Sequence, residues 1–263
     1  MAALLLPLGA LGDGLGRKPA LLAGLAVFGA ASMASGLANG TVTMLAARLV
    51  AGVGAALIMP ATLAIITSTF PPAQRSEAVG IWTAAAGGGG VLGMLVSAAL
   101  VDLVGWRWFF ALPVLLVMVA LPLGLRGIPN TSEPFPRGYD LAGALTSLAG
   151  VVGLILGLSQ GPEKGWTSPA AWAGLLLGAA GVIGFVAVEL GRPWPLLDPR
   201  LLRRPGLAVG SMTLLAVFGV PTGVFVLLYP YLQMVRGWTG LGATLALMPM
   251  PVLMIACSAL RPG

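Results

Sequence analysis

Nearly all charges of this chain fall in short breaks between long apolar runs, and that spacing decides the solvent in which it can fold. The runs lie near residues 20–38, 42–68, 77–101, 108–125, 141–160, 170–188, 207–230 and 242–260. Each offers roughly twenty residues, enough at 1.5 Å rise per residue to cross a hydrocarbon core of about 30 Å. With 58% hydrophobic and 8% charged residues, a water-soluble surface cannot be built, so the bilayer is the solvent. The expected fold class is all-α, a polytopic membrane bundle of about eight full spans plus one half-span. The half-span is the opening stretch, whose roughly eleven residues reach only about 17 Å. Met1 is followed by Ala2, Ala3 and Leu4 with no positive leader, so insertion is expected to rely on the helices themselves.

Lysine and arginine counts in alternating breaks give the orientation. Arg17, Lys18, Arg75, Arg126, Arg137, Arg192, Arg200, Arg203, Arg204 and Arg261 fall on one side, and Arg107, Lys164 and Arg236 on the other. Arg48 alone lies within a span. The bias places the Asp13 break in the cytoplasm. A net charge of +6 raises the question of nucleic acid, but the cations are scattered, whereas a nucleic-acid binder gathers them on one face. No nucleic-acid partner is expected. The chain has no histidine and one cysteine, Cys257, which excludes an intrachain disulfide and removes the usual inventories for metal or acid–base catalysis. No enzyme, cofactor or metal is implied, and Cys257 reads as a small packing residue.

The longest polar break of the first half, from Arg126 to Asp140, reads as a cytoplasmic linker between bundles. A second break, Glu189 to Pro205, carries four arginines with Pro193, Pro195 and Pro199, and is expected to hold a short interfacial helix. Pro60, Pro221, Pro249 and Pro251 interrupt apolar runs and read as kinks. Met248, Met250 and Met254 fit either ordinary packing or an adaptable wall for apolar ligands. Spacings of the G-x-x-x-G type at Gly89/Gly93, Gly153/Gly157 and Gly174/Gly178 point to close helix contacts, within one chain or between copies, so the oligomeric state stays open.

Four segments carry specific patterns. In Gly9-Ala10-Leu11-Gly12-Asp13-Gly14-Leu15-Gly16-Arg17-Lys18 a tight loop is expected, with Gly12, Gly14 and Gly16 supplying positive φ and close approach. There Asp13, Arg17 and Lys18 either lock helix ends together or simply snorkel at the headgroups. Arg48 lies about six residues, or roughly 9 Å, inside its run. Such a charge is costly in hydrocarbon, which leaves a functional role facing the bundle interior or snorkelling to the interface. Gly52 and Gly54 on the following turns leave room for a neighbouring helix. From Gly80 to Ser97, the run Gly87-Gly88-Gly89-Gly90 with Gly93 allows two backbones to approach. Asp102 with Trp106, Arg107 and Trp108 forms an aromatic, charged edge at the outer interface.

The first segment, G-x-L-x-D-x-x-G-R-K, resembles the loop between the second and third helices of the major facilitator superfamily. Arg48-Leu49-Val50-Ala51-Gly52-Val53-Gly54-Ala55-Ala56 is similar to that superfamily's fourth-helix motif, which implies a proton-coupling role for Arg48. The glycine segment resembles the antiporter signature of the fifth helix, with Gly90 and Met94 in place of its prolines and Ser97-Ala98 in place of a glycine pair. The close-packing role of Gly87, Gly89, Gly90, Gly93 and Ser97 is implied, but the proline-set bend is not. Asp102 through Phe110, in the order D-x-x-x-W-R-W-x-F, resembles the fourteen-helix drug:proton antiporter branch (EmrB/QacA-like). Asp140-Leu141-Ala142-Gly143, Pro195 through Arg203 and Tyr231 through Trp238 agree with that branch.

What the resemblance implies is a secondary transporter of the cell membrane that exports amphipathic organic compounds in exchange for protons, by alternating access. Its partners would be the lipid bilayer, a small amphipathic organic substrate and protons. The implied organisation is residues 1–126 as the remainder of an N-terminal bundle (second to sixth helices), 127–140 as linker, 141–188 as two additional central helices, 189–206 as a cytoplasmic loop and 207–263 as the start of a C-terminal bundle. Gly9, Asp13, Gly16, Arg17 and Lys18 would form a cytoplasmic gate against a late helix of the second half. The chain is then expected to lack the family's first helix, with its proton-carrying acid, and its last four. Two further readings stand beside this one: a non-transporting remnant, and an exporter of one specific endogenous metabolite.

The orientation is testable directly. A cysteine introduced at Ser132 should resist a membrane-impermeant thiol reagent on intact cells and one at Ser168 should react, and the reverse pattern would overturn it.

Overall fold

The computed structural model describes residues 1–129, 140–192 and 195–253. Among these, nine α-helices follow one another: α1 Leu5–Leu15, α2 Arg17–Gly36, α3 Thr41–Thr69, α4 Pro72–Leu103, α5 Ala111–Gly127, α6 Leu141–Lys164, α7 Pro169–Gly191, α8 Pro205–Met234 and α9 Gly240–Leu247. No strand occurs among the described residues. Seven spans, α2 to α8 with α5 extended by the 3-10 turn at Trp106–Phe110, are long and apolar enough to cross a membrane. The all-α expectation holds for them. The eighth expected span, 242–260, is described only in part: helix α9 ends at Leu247, Met248 forms a turn, and helical geometry resumes over residues 249–253. Cys257, Met254 and Arg261 lie outside the described residues, as do Pro193 and residues 130–139 of the linker.

Local chemistry accounts for the helix ends. Between α6 and α7, Gly165 takes φ of 88°, Ser168 accepts a hydrogen bond from the Ala171 N–H at 3.3 Å, and Pro169 occupies the first turn, where its missing N–H costs nothing. Helix α8 closes on Gly237, at φ of 68°, which lets the Trp238 N–H reach the Leu232 carbonyl at 3.0 Å. The expected short helix in the 189–206 break is a 3-10 turn at Pro199–Arg203, capped where Asp198 accepts from the Arg200 N–H at 3.0 Å.

The opening segment corrects the sequence reading. Helix α1 runs through Gly9, Gly12, Asp13 and Gly14, and Gly16 alone breaks it, at φ of 116°. Positive φ is therefore needed once, not at Gly12 or Gly14. Two of the glycines inside α1 serve packing instead: a Cβ on Gly9 would stand 3.2 Å from Pro60 of α3, and one on Gly12 3.0 Å from the Ala20 Cβ. The expected half-span is this 11-residue helix, preceded by a 3-10 turn at Ala2–Leu4.

Two compact units are present. The first comprises Met1–Phe28, Leu49–Ile65 and Leu121–Leu207. Its tightest contact is the α6–α7 hairpin. Buried Gly143, Ser147, Gly150, Gly153, Gly157 and Gly161 form one stripe of α6 at helical spacing, and Gly174, Gly178 and Gly181 form its complement on α7. A Cβ on Gly174 would lie 2.6 Å from the Gly157 Cα, and one on Gly178 2.6 Å from the Leu154 nitrogen. Backbones that close gain dispersion contacts in lipid, where no hydrophobic effect drives helices together. The Gly153/Gly157 and Gly174/Gly178 spacings thus act within one chain. In the same unit α2 crosses α3 at Gly24 and Gly54, where a Gly54 Cβ would stand 2.7 Å from the Phe28 nitrogen.

The second unit comprises Gly29–Arg48, Ile66–Ala120 and Ala208–Gly263. Here α4 packs against α9, while α8 has no buried residue and exposes Leu214, Leu215 and Leu227. A helix apolar all round is at home in lipid.

The hairpin contact predicts a position-specific cost. Gly174→Val should destabilise the folded protein by about 1–3 kcal/mol through overpacking. Gly210→Val, where nothing lies within 4 Å, should stay within about 0.5 kcal/mol of the parent. Equal thermal-unfolding midpoints for the two variants would contradict the interlocked hairpin.

Candidate functional site

Three groups of polar side chains among the described residues gather the site residues expected from the sequence. The first joins α1, α2 and α5. Asp13 lies in the last turn of α1 and Arg17 opens α2, so each charge opposes the dipole of its own helix. The one-residue break at Gly16, whose N–H donates to the Gly12 carbonyl at 3.0 Å, brings them together. Arg17 Nε donates to Asp13 Oδ1 at 3.0 Å, with the arginine side chain only 9% exposed. Lys18 is also misplaced at an N-terminus, and its Nζ donates at 2.8 Å to the Leu125 carbonyl. Leu125 lies in the last turn of α5, one of the four carbonyls a helix cannot satisfy itself. Of the expected gate residues, Asp13, Gly16, Arg17 and Lys18 thus meet at one helix junction, while Gly9 packs against α3 at Pro60.

The second group lies in the other unit. Arg48 is exposed, and its guanidinium carbon sits 5.5 Å over the centroid of the buried Phe110 ring. Phe110 is held edge-on by Phe109 and Trp106. A cation over such a face gains about 0.5–1 kcal/mol at an exposed site. Arg107, from the same 3-10 turn, donates from Nη2 to Asn39 Oδ1 at 3.2 Å and stacks 5.4 Å over Trp106. Trp106 and Trp108 are exposed. Sequence reasoning placed Arg48 by depth but missed Phe110.

The third group surrounds Asp102, the penultimate residue of α4 and again at the wrong end for its own dipole. Its Oδ2 accepts from the Leu241 N–H at 2.7 Å, at the start of α9, where Thr239 also accepts from the Gly242 N–H at 3.0 Å. Asp102 therefore caps a helix 139 residues away. Beside this contact lies a mainly apolar cavity of about 630 Å³ whose walls include Ser97, Asp102, Phe109, Phe225, Tyr229 and Gln233. That volume is in the range of pockets for small organic ligands, about 300–1,000 Å³. An acid near a helix C-terminus is the sequence signal that could have revealed this link.

The glycine run of α4 behaves differently from its expected role. A Cβ at Gly88, Gly89, Gly90 or Gly93 would meet nothing within 4 Å, and Gly87 is exposed. Among the described residues no backbone packs there. Only Ser97, one turn on, reaches the cavity wall. The close approach expected of this run is found in α6 and α7.

With this geometry in place, comparison with known proteins is informative. The sequence profile described as Major Facilitator Superfamily matches residues 1–262. The chain belongs to that superfamily. It is 32% identical over 250 residues to "Multidrug resistance protein Stp" of Mycobacterium tuberculosis, covering 95% of this chain and 47% of that protein. It is 35% identical to the "Probable actinorhodin transporter" of Streptomyces coelicolor, covering 97% of this chain and 45% of the relative. With the "Cephamycin export protein CmcT" of Amycolatopsis lactamdurans it shares 33% identity over 97% of this chain and 53% of the relative. The chain spans about half the length of the curated relatives it matches. As a superfamily member with seven apolar spans, it is a multi-pass protein of the cell membrane.

The Asp102 cap yields a local prediction. A hydrogen bond to a charged acceptor is worth about 1.5–3 kcal/mol, so Asp102→Ala should speed amide exchange at Leu241 by about tenfold or more. Unchanged exchange at Leu241 would show that Asp102 does not hold α9.

Proposed function

We propose that the protein containing this chain exports amphipathic organic compounds by proton-coupled alternating access. The observation that carries this reading is the cavity beside Asp102. It offers apolar and aromatic walls of small-molecule size with one carboxylate and the polar tips of Tyr229 and Gln233, a lining that suits a ligand with both apolar and polar parts. Superfamily membership and the export and resistance roles named for the relatives support the same reading. Alternating access moves one half of such a fold against the other around a central site, and in this reading residues 1–126 and 207–263 belong to opposite halves, joined by the linker at 127–140, the α6–α7 hairpin and the 189–206 loop.

Roles for the remaining residues follow. Asp13, Arg17 and Lys18, with Gly16 making the turn and Gly9 letting α1 pack against Pro60, act as a gate latch that ties the ends of α1, α2 and α5. Arg48 takes part in proton coupling, its cation parked on Phe110 in the present conformation. Gly87, Gly89, Gly90 and Gly93 offer a smooth face on which a partner helix can slide. Asp102, Trp106, Arg107 and Trp108 set the outer rim.

The open reading frame containing this chain, expressed in cells stripped of their own exporters, should lower accumulation of a fluorescent amphipathic dye in a manner abolished by a protonophore. Arg48→Ala should insert normally and return accumulation to the vector level. Wild-type accumulation equal to the empty vector would contradict export, and full efflux by Arg48→Ala would reduce the arginine to a snorkelling residue.

A further inference from the structure

Glu189 is the largest fully buried side chain of the described residues, only 1% exposed, although it lies two residues from the end of α7. The segment that follows folds back over it, and Glu189 Oε2 accepts from the Leu197 N–H at 3.4 Å. Its other oxygen, Oε1, has no hydrogen-bond partner. Across the hairpin, Asp140 caps α6 by accepting from the Gly143 N–H on Oδ1 at 2.9 Å. Asp140 Oδ2 is buried too, receives no hydrogen bond, and meets only the Arg192 Nε at 3.4 Å in an ion pair.

The two oxygens border one and the same point beside Gly143. Glu189 Oε1 lies against the place a Gly143 Cβ would fill, and Asp140 Oδ2 is 3.3 Å from that same point. Only a glycine leaves this space. The other charged groups on the packed elements are committed or distant. Arg192 is half-exposed and faces Asp140. Arg200 donates to the Leu190 carbonyl at 3.2 Å, Asp198 accepts from the Arg200 N–H, and Asp13 of α1 pairs with Arg17. Among the described residues no cation reaches Glu189 Oε1 within ion-pair distance. Two dehydrated carboxylates bordering one gap repel, and here Glu189 Oε1 has no hydrogen-bond donor while Asp140 Oδ2 has only the Arg192 ion pair. One hydrogen between them supplies a donor to one and keeps an acceptor on the other.

We propose that Asp140 and Glu189 form a proton-binding site at the end of the α6–α7 hairpin, one proton being held between Asp140 Oδ2 and Glu189 Oε1. The proton comes from water, forms an O–H bond on one carboxylate and hydrogen-bonds the other. The group of two carboxylates and Arg192 passes from one net negative charge to neutral. Bound, the proton draws the start of α6 to the end of α7 and keeps the Leu197 segment seated; released, it leaves two like charges across the glycine gap. The site uses none of the cavity residues and stands independently of the export reading.

The test is infrared spectroscopy of the full chain in lipid. The wild type should show the carbonyl stretch of a buried protonated carboxylic acid, shifted by exchange into heavy water. Glu189→Gln and Asp140→Asn should each abolish it, because either amide donates to the opposite oxygen and removes the need for the proton. Asp13→Asn, which leaves the site intact, should keep the band. Circular dichroism establishes that each variant retains its helices, and loss of the band in either folded amide variant supports the site. Absence of the band in the wild type, or its persistence in both Glu189→Gln and Asp140→Asn, would overturn it.

Discussion

The fold depends on charges that sit at the wrong end of their own helix and satisfy the end of another. A helix leaves four N–H groups and four carbonyls unpaired at its termini, and where the core is lipid these must be met by whatever side chains reach them. Lys18, at the start of α2, serves the last turn of α5 through Leu125. Asp102, at the end of α4, serves the first turn of α9 through Leu241. Asp13 neutralises Arg17 across a break of one residue; Arg200, although well placed in its own 3-10 turn, likewise serves the end of α7 through Leu190. A charge against its own helix dipole costs a few tenths of a kcal/mol to about 1 kcal/mol. A charge-assisted hydrogen bond to a neighbouring terminus outweighs that, so each misplaced charge works as an intersegment tie.

These ties divide the labour with glycine packing. The α6–α7 hairpin is held by backbone contact along its whole length and closes with Asp140 and Glu189 at its end. Contacts built from glycine alone are close and smooth, whereas contacts built from terminal charges are point-like and can be exchanged without unpacking an apolar core. That difference suits a transporter, in which some helices travel as rigid pairs while others part and rejoin. In the proposed export cycle the hairpin is the rigid pair, and the junctions at Asp13 and Asp102 are the contacts that change.

Much of this was legible in the sequence because it follows from one-dimensional patterns. Apolar run length gave seven of the spans, and G-x-x-x-G spacing marked the glycines that interlock α6 with α7. The opening segment was misread for an instructive reason: glycine at residues 9, 12 and 14 reads as a loop by the propensities measured in water, about 1 kcal/mol per residue against helix, yet all three lie within α1, where Gly9 and Gly12 serve contact with Pro60 and Ala20. The run at Gly87–Gly93 shows the converse, since small residues mark a face that can be packed without saying whether a neighbour is present. Partners of Lys18 and Asp102 could not be found by spacing, being 107 and 139 residues distant. In the sequence Glu189 marks only the edge of a polar break, because its burial comes from a segment that folds back over it, which no periodicity encodes.

The account rests on oppositely placed terminal charges acting as pairs and not as separate surface groups. A double-mutant cycle on Asp13→Asn and Arg17→Gln, followed by reversible unfolding in mixed micelles, measures this directly. Mutually supporting charges predict a coupling energy of about 0.5–3 kcal/mol, with the second substitution costing far less once the first is made. Additivity of the two effects to within about 0.3–0.5 kcal/mol would mean that each charge acts alone, and would contradict the claim that these termini tie the helices together.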